Sequence, residues 1–122
     1  MDAEEGRIDL LIANAGVSGP DLKGLAASPS LNELQDKLWS PSVEAFASTY
    51  TVNTAATFFT IVAFLELLDK GNKTRHTAAQ RSQVLATSSI SGFNRSVPGG
   101  FAYGGSKAAT TQMMKQFATL LA

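Results

Sequence analysis

Tyr103 and Lys107 stand four residues apart in the run Tyr-Gly-Gly-Ser-Lys. On a helix, positions i and i+4 share a face one turn apart, so a phenol and an ammonium with this spacing face the same cleft. A free tyrosine titrates at about pH 10, roughly three units from neutrality, and a fixed neighbouring cation favours the phenolate that acid/base work requires. Chance places Tyr and Lys four apart in roughly one chain in five of this length, so the pair alone decides nothing. Ser88-Ser89-Ile90-Ser91-Gly92 follows a run that reads as a strand at residues 83–88. Open parallel α/β sheets take ligands beyond the carboxyl ends of their strands, and a serine there is placed to hold a substrate oxygen. Asn14-Ala15-Gly16 has the equivalent place after residues 8–13. A short polar side chain and a glycine without Cβ allow a tight turn there and a close backbone approach to a ligand. Asn53 interrupts an apolar helical stretch, and a buried amide needs partners, from protein or ordered water. His76, the single histidine, lies in a polar stretch with no second ligand spaced around it, so no metal site is expected.

The elements that must position these groups follow from the pattern. Residues 8–13, IDLLIA, are apolar but for one acid, which suits a strand covered on both faces. Residues 17–41 are rich in Ser, Gly and Pro, with a short helix predicted at 31–39. Leu31, Leu34 and Leu38 share a face of it, and Trp39 is placed to seat it. Ser40-Pro41 reads as an N-cap and first helical position, opening a long helix that Asp69-Lys70-Gly71 would stop. Phe46, Tyr50, Phe58, Phe59, Val62, Phe64 and Leu65 make that helix apolar around most of its circumference, so burial on more than one side is expected. Residues 72–82 read as a solvated loop, 83–88 as a second strand, 89–100 as a loop and 101–122 as a second long helix. Gly104-Gly105 would cost that helix about 1 kcal/mol per glycine relative to alanine. The order strand, helix, strand, helix predicts an α/β fold with parallel strands in a βαβα unit and a right-handed crossover.

The 122 residues carry 10 basic and 10 acidic side chains and no cysteine. Charge balance argues against a surface made for nucleic acid or anionic lipid. Absence of cysteine excludes a disulfide framework and a thiolate nucleophile, and points to a cytoplasmic location. The acidic start, Met-Asp-Ala-Glu-Glu, lacks the basic region and apolar run of a secretory signal. The most apolar stretch, residues 54–68, is shorter than the roughly 20 residues a bilayer needs and contains Glu66, so it reads as a core helix rather than a membrane span.

Taken in order, Asn-Ala-Gly after a strand, an asparagine within a buried helix, Ser-Ser-x-x-Gly after a second strand, and Tyr-x-x-x-Lys resemble the classical short-chain dehydrogenase/reductase family, from residue 8 to 122. The resemblance implies a partial Rossmann-like, doubly wound fold, with residues 1–122 an incomplete NAD(P)-binding domain. It implies that Asn14, Ala15 and Gly16 steady the sheet and border the cofactor. Asn53 would hold a water of a proton relay, and Ser89 would orient and polarise the substrate oxygen. Tyr103 would be the acid/base and would also contact the cofactor, and Lys107 would bond the nicotinamide ribose and favour the phenolate. The implied reaction is reversible hydride transfer between NADP or NAD and a small carbonyl/alcohol substrate. The family's opening strand, Gly-rich turn and helix, which cradle the pyrophosphate and choose the cofactor, have no counterpart in these residues, nor do its later strands. These residues alone are therefore expected to bind NAD(P)H weakly or not at all, with activity impaired. A homo-oligomer is implied, formed by helices resembling 42–70 and 101–122. The alternative is a non-catalytic assembly module that dimerises through those two helices.

Overall fold

The structure, a computed structural model, describes residues 6–74, 80–97 and 99–122. Its elements are β1 (Leu10–Ala13), α1 (Leu31–Trp39), α2 (Val43–Tyr50), a π turn (Thr51–Ala55), α3 (Ala56–Lys73), β2 (Gln83–Ala86), a 3-10 turn (Ile90–Gly92) and α4 (Phe101–Leu120). The two strands pair in parallel, Leu10 opposite Gln83 and Ala13 opposite Ala86. The βαβα order is the one expected from the apolar runs.

α2, the π turn and α3 form one continuous helix from Val43 to Lys73. Its start and end both differ from expectation. Ser42 is the cap, accepting from the Ala45 amide at 3.0 Å, whereas Ser40 closes α1 by donating to the Lys37 carbonyl at 2.8 Å. Two serines flank Pro41, either can cap, and the inner one does. Gly71 is not a stop either, because it is buried inside α3, where a Cβ would run into the Ile8 carbonyl and the Ser82 hydroxyl. The missing side chain lets the end of α3 touch the chain entering both strands. Helix propensity alone predicts that Gly71→Ala stabilises by about 1 kcal/mol. The contact with a backbone oxygen is expected to reverse that sign, for a net loss of about 1–3 kcal/mol in a urea unfolding experiment.

Because the helix continues through the π turn, it is longer than residues 54–68 suggest. By length and composition it is the one helix among the described residues long and apolar enough to cross a membrane. Its buried line, Thr49, Asn53, Thr57, Ile61, Leu68 and Gly71, meets the rest of the fold, while Phe46, Phe58, Phe59 and Val62 stay at least partly exposed. Burial on several sides is thus not found. Nor are the strands covered on both faces, since Leu10, Ile12 and Leu85 are about half exposed, at 49%, 58% and 52%. The alternate residues are half-buried, and α3 packs on both strands.

α1 is fixed at its start rather than by Trp39, which is 86% exposed. Ser30 and Glu33 form a reciprocal capping box, the Glu33 carboxylate accepting from the Ser30 amide at 2.7 Å. That backbone bond, with the Ser30 hydroxyl, holds the Glu33 carboxyl below its ordinary range. The predicted loop 72–82 is shortened by the extension of α3, and residues 75–79, with His76, lie outside the described residues.

Gly104-Gly105 has a packing explanation. A Cβ on Gly104 would lie 3.0 Å from the Ser91 carbonyl, and one on Gly105 would meet the Tyr50 hydroxyl. The bare backbone of α4 lets the 3-10 turn and the Tyr50 ring come close. Among the described residues the buried apolar side chains are Ile61, Leu68 and Ala102 alone, while Thr49, Asn53, Thr57, Ser106, Lys107 and Thr110 are buried and polar. The seam between the long helix and α4 is therefore mainly hydrogen-bonded, and no buried side-chain N or O among the described residues lacks a partner.

Candidate active site

α4 presents Tyr103 and Lys107 as the spacing predicts, with the Lys107 Nζ 5.9 Å from the centroid of the Tyr103 ring. Lys107 is 4% exposed and donates to the Thr87 carbonyl at 2.8 Å. Thr87 stands one residue beyond β2, where its hydroxyl donates to Asn14 Oδ1 at 2.7 Å and its amide donates to the Ala13 carbonyl at 3.1 Å. One residue thus joins the carboxyl ends of both strands to the lysine. Among the described residues no hydrogen bond ties the Tyr103 hydroxyl, which leaves the phenol open to a ligand.

Asn53 sits in the π turn, a local widening of the helix that recurs at functional sites. Its Oδ1 accepts from the Val17 amide at 2.8 Å, and its Nδ2 donates to the Val17 carbonyl at 2.9 Å and to Ser106 Oγ at 3.0 Å. Both Nδ2 hydrogens are used. Its backbone carbonyl accepts from Thr110 at 2.7 Å and from Thr57 at 3.3 Å. What remains on the side chain is the second acceptor position of Oδ1. A Cβ on Gly16 would lie 3.1 Å from that oxygen and 3.3 Å from Lys107 Nζ. Glycine at this position keeps the amide and the ammonium from being wedged apart. Asn14, Ala15 and Gly16 are themselves exposed at the end of β1.

The two serines divide their work. Ser88 donates to the Lys107 carbonyl at 3.1 Å and lies 2.6 Å from Thr111 Oγ1, tying the end of β2 to α4. Ser89 accepts from the Ser91 amide at 3.1 Å, which leaves its own proton to give. The 3-10 turn it caps rests on α4, where a Cβ on Gly92 would lie 2.9 Å from the Ala108 amide nitrogen. The structure therefore brings Asn14, Gly16, Asn53, Tyr103 and Lys107 together at the carboxyl ends of the strands. Ser89 joins them through its turn, with no direct hydrogen bond to Tyr103 or Lys107 among the described residues.

Sequence reasoning missed Thr87, Val17, Ser106 and Thr110. Val17 acts only through its backbone and leaves no mark in composition. Ser106 and Thr110 did leave one, since small hydroxyl residues one turn apart flank Lys107 on α4. No group of three or more His, Cys, Asp or Glu that could hold a metal occurs among the described residues.

Comparison with known proteins bears on the family and the fold. The family model described as short chain dehydrogenase matches residues 1–122. The short-chain dehydrogenase/reductase PhomF' of Diaporthe leptostromiformis is 50% identical over 118 residues, covering 97% of this chain and 40% of that protein. The chain thus spans about 40% of the length of that curated relative. Among solved structures, the RhlG/NADP active-site complex of Pseudomonas aeruginosa superposes with a TM-score of 0.73 at 28% identity, over 96% of this chain and 38% of that one. A 7α-hydroxysteroid dehydrogenase complexed with NADH and 7-oxo glycochenodeoxycholic acid shares the fold, with a TM-score of 0.71 at 19% identity over 98% of this chain and 37% of that one. The fold is accordingly part of a Rossmann-type α/β sheet. With its ordered motifs, its parallel strand pair and a family match along its whole length, this chain belongs to the short-chain dehydrogenase family.

Proposed function

We propose that the protein is an NAD(P)-dependent oxidoreductase interconverting a small-molecule carbonyl and alcohol, with residues 1–122 forming part of one cofactor-binding domain. The observation that carries this reading is a buried Lys107 ammonium, anchored on Thr87 one turn from an unengaged Tyr103 phenol, at the carboxyl ends of two parallel strands. The residues present suit a nicotinamide cofactor. An ammonium has three donors, and Thr87 takes one of those on Lys107, which leaves two for the vicinal hydroxyls of a ribose. Gly16 carries no Cβ beside that ammonium, so Asn14, Ala15 and Gly16 offer backbone for close approach.

The bound nicotinamide supplies or accepts the hydride. The chain's own side chains manage the proton and the substrate oxygen. In reduction, Tyr103 gives its phenolic proton to the substrate oxygen, while Ser89 donates a hydrogen bond that orients the same oxygen. The Lys107 ammonium, 5.9 Å from the ring centroid, faces the charge so formed. The open acceptor position of Asn53 Oδ1 holds a water toward Lys107, through which the proton is replaced. NADP and NAD both suit these residues. The cysteine-free composition supports a cytoplasmic location.

No two glycines stand two apart in these 122 residues, so the Gly-x-Gly turn that holds a dinucleotide pyrophosphate is not among them. Titration with NADPH or NADH, followed by nicotinamide fluorescence, is therefore expected to give a Kd on the order of 1 mM, a binding free energy of about −4 kcal/mol. Nanomolar binding would show that some other part of this chain cradles the cofactor.

A second reading concerns assembly. Phe58 stacks on Phe117 with centroids 5.5 Å apart, joining α3 to α4, and Phe59, Val62 and Leu120 are exposed on the same two helices. Exposed apolar surface of this kind marks association. Size exclusion with light scattering is expected to give a dimer, and Phe59→Glu to shift it toward monomer. A wild-type monomer at high concentration would remove both the homo-oligomer and the assembly-module alternative.

A further inference from the structure

Ser106 and Thr110 are completely buried, one turn apart on the face of α4 that meets the π turn. Ser106 Oγ accepts from Asn53 Nδ2 at 3.0 Å and donates to the Tyr103 carbonyl at 2.8 Å. Thr110 Oγ1 lies 2.7 Å from the Asn53 carbonyl and 2.9 Å from the Ser106 carbonyl, and Thr54 donates to that same Ser106 carbonyl at 2.9 Å. Two helices meeting through apolar side chains tolerate small axial slips by repacking. Hydrogen bonds do not, because a slip of about 1 Å carries donor and acceptor beyond bonding distance. Neither Gly104 nor Gly105 offers a side chain that could set the register instead.

We propose that Ser106 and Thr110 are positioning residues that lock α4 at one axial register against the π turn. That register keeps Lys107 Nζ on the Thr87 carbonyl and Tyr103 one turn before it. The lock acts through Asn53, which is itself pinned to the backbone of Val17 beyond β1, so the helix carrying the pair is referenced to the sheet. Its consequence for catalysis rests on the reading of Tyr103 and Lys107 as the reacting pair, whereas the lock itself is measurable without turnover.

The test is competitive acetylation of the folded 122-residue chain, with Lys107 labelling read by mass spectrometry against Lys115, an exposed lysine on the same helix. Thr110→Val keeps the shape and removes the hydroxyl, Thr110→Ser keeps the hydroxyl, and Ser106→Ala removes the pivot without adding volume. Ile61→Val trims a buried apolar side chain and serves as the control for general loosening. Loss of one lock bond is expected to raise the Lys107/Lys115 ratio about tenfold in Thr110→Val and Ser106→Ala, through local opening of α4. Thr110→Ser and Ile61→Val should both stay within about twofold of the parent, the serine because it restores the bond. Should Thr110→Val not fold, Ser106→Ala decides on the same ratio. An unchanged ratio in a folded hydroxyl-deletion variant overturns the lock, as does an equal rise in Ile61→Val or a failure of Thr110→Ser to rescue. Undiminished turnover in Tyr103→Phe, in a polypeptide carrying these residues, would instead remove the oxidoreductase reading and leave this ratio untouched.

Discussion

Asn53→Leu is expected to unfold most of the chain at ambient temperature. The side chain is 1% exposed and makes three hydrogen bonds, two of them to the backbone of Val17. Leucine has as many side-chain heavy atoms as asparagine but is bulkier, so crowding adds to the loss of bonding. The Val17 amide and carbonyl lose their side-chain partner, and Ser106 loses the donor that pinned it. Each stranded group costs about 1–3 kcal/mol. Three together come to roughly 3–9 kcal/mol, against a total stability of about 5–15 kcal/mol for an ordinary domain. Two strands and a small apolar core place this chain toward the low end of that range. Circular dichroism against urea should show the midpoint collapsing. A midpoint within experimental error of the parent would mean that the amide pair is dispensable.

Lys107→Met is expected to act in the opposite direction on stability. Lys107 is buried, and among the described residues its ammonium has one protein hydrogen bond, to an exposed residue that water can satisfy in its place. Burying a cation with so little compensation costs free energy, and an apolar side chain of similar length is often neutral or stabilising at such positions. The melting midpoint should hold or rise while the nicotinamide-dependent signal disappears. Such opposed signs mark a residue kept for function rather than for folding. Tyr103→Phe separates the remaining role. Its hydroxyl carries no structural bond among the described residues, so stability should hold. Turnover of a polypeptide carrying these residues should fall by about 10²–10⁴, the usual contribution of a positioned proton donor.

The pair itself was legible because helix spacing is a strong constraint. Four residues separate Tyr103 from Lys107, and an apolar run on each side of the site announces a strand. Asn53 was legible as the odd polar residue in an apolar helix, although the π turn that holds it has no compositional signature. Gly71 was misread because Lys-Gly marks both a helix stop and a site where another backbone comes close. Ser40 was misread because Ser42 offers the same hydroxyl on the other side of Pro41. The apolar strand residues were correctly recognised as strands, yet the helices present cover one face of them, and no local pattern tells how many faces are covered. Ser106 and Thr110 were passed over because serine and threonine within a helix look unremarkable until the partner across the seam is known.

The most direct test of the site is chemical-shift mapping of the isotopically labelled chain with NADPH and with NADH. Saturable shifts are expected at Gly16, Asn53, Tyr103 and Lys107, at millimolar concentrations, and they should vanish in Lys107→Met. Saturable shifts confined to other surfaces, or shifts at these four residues that persist in Lys107→Met, would contradict a dehydrogenase site built on Tyr103 and Lys107.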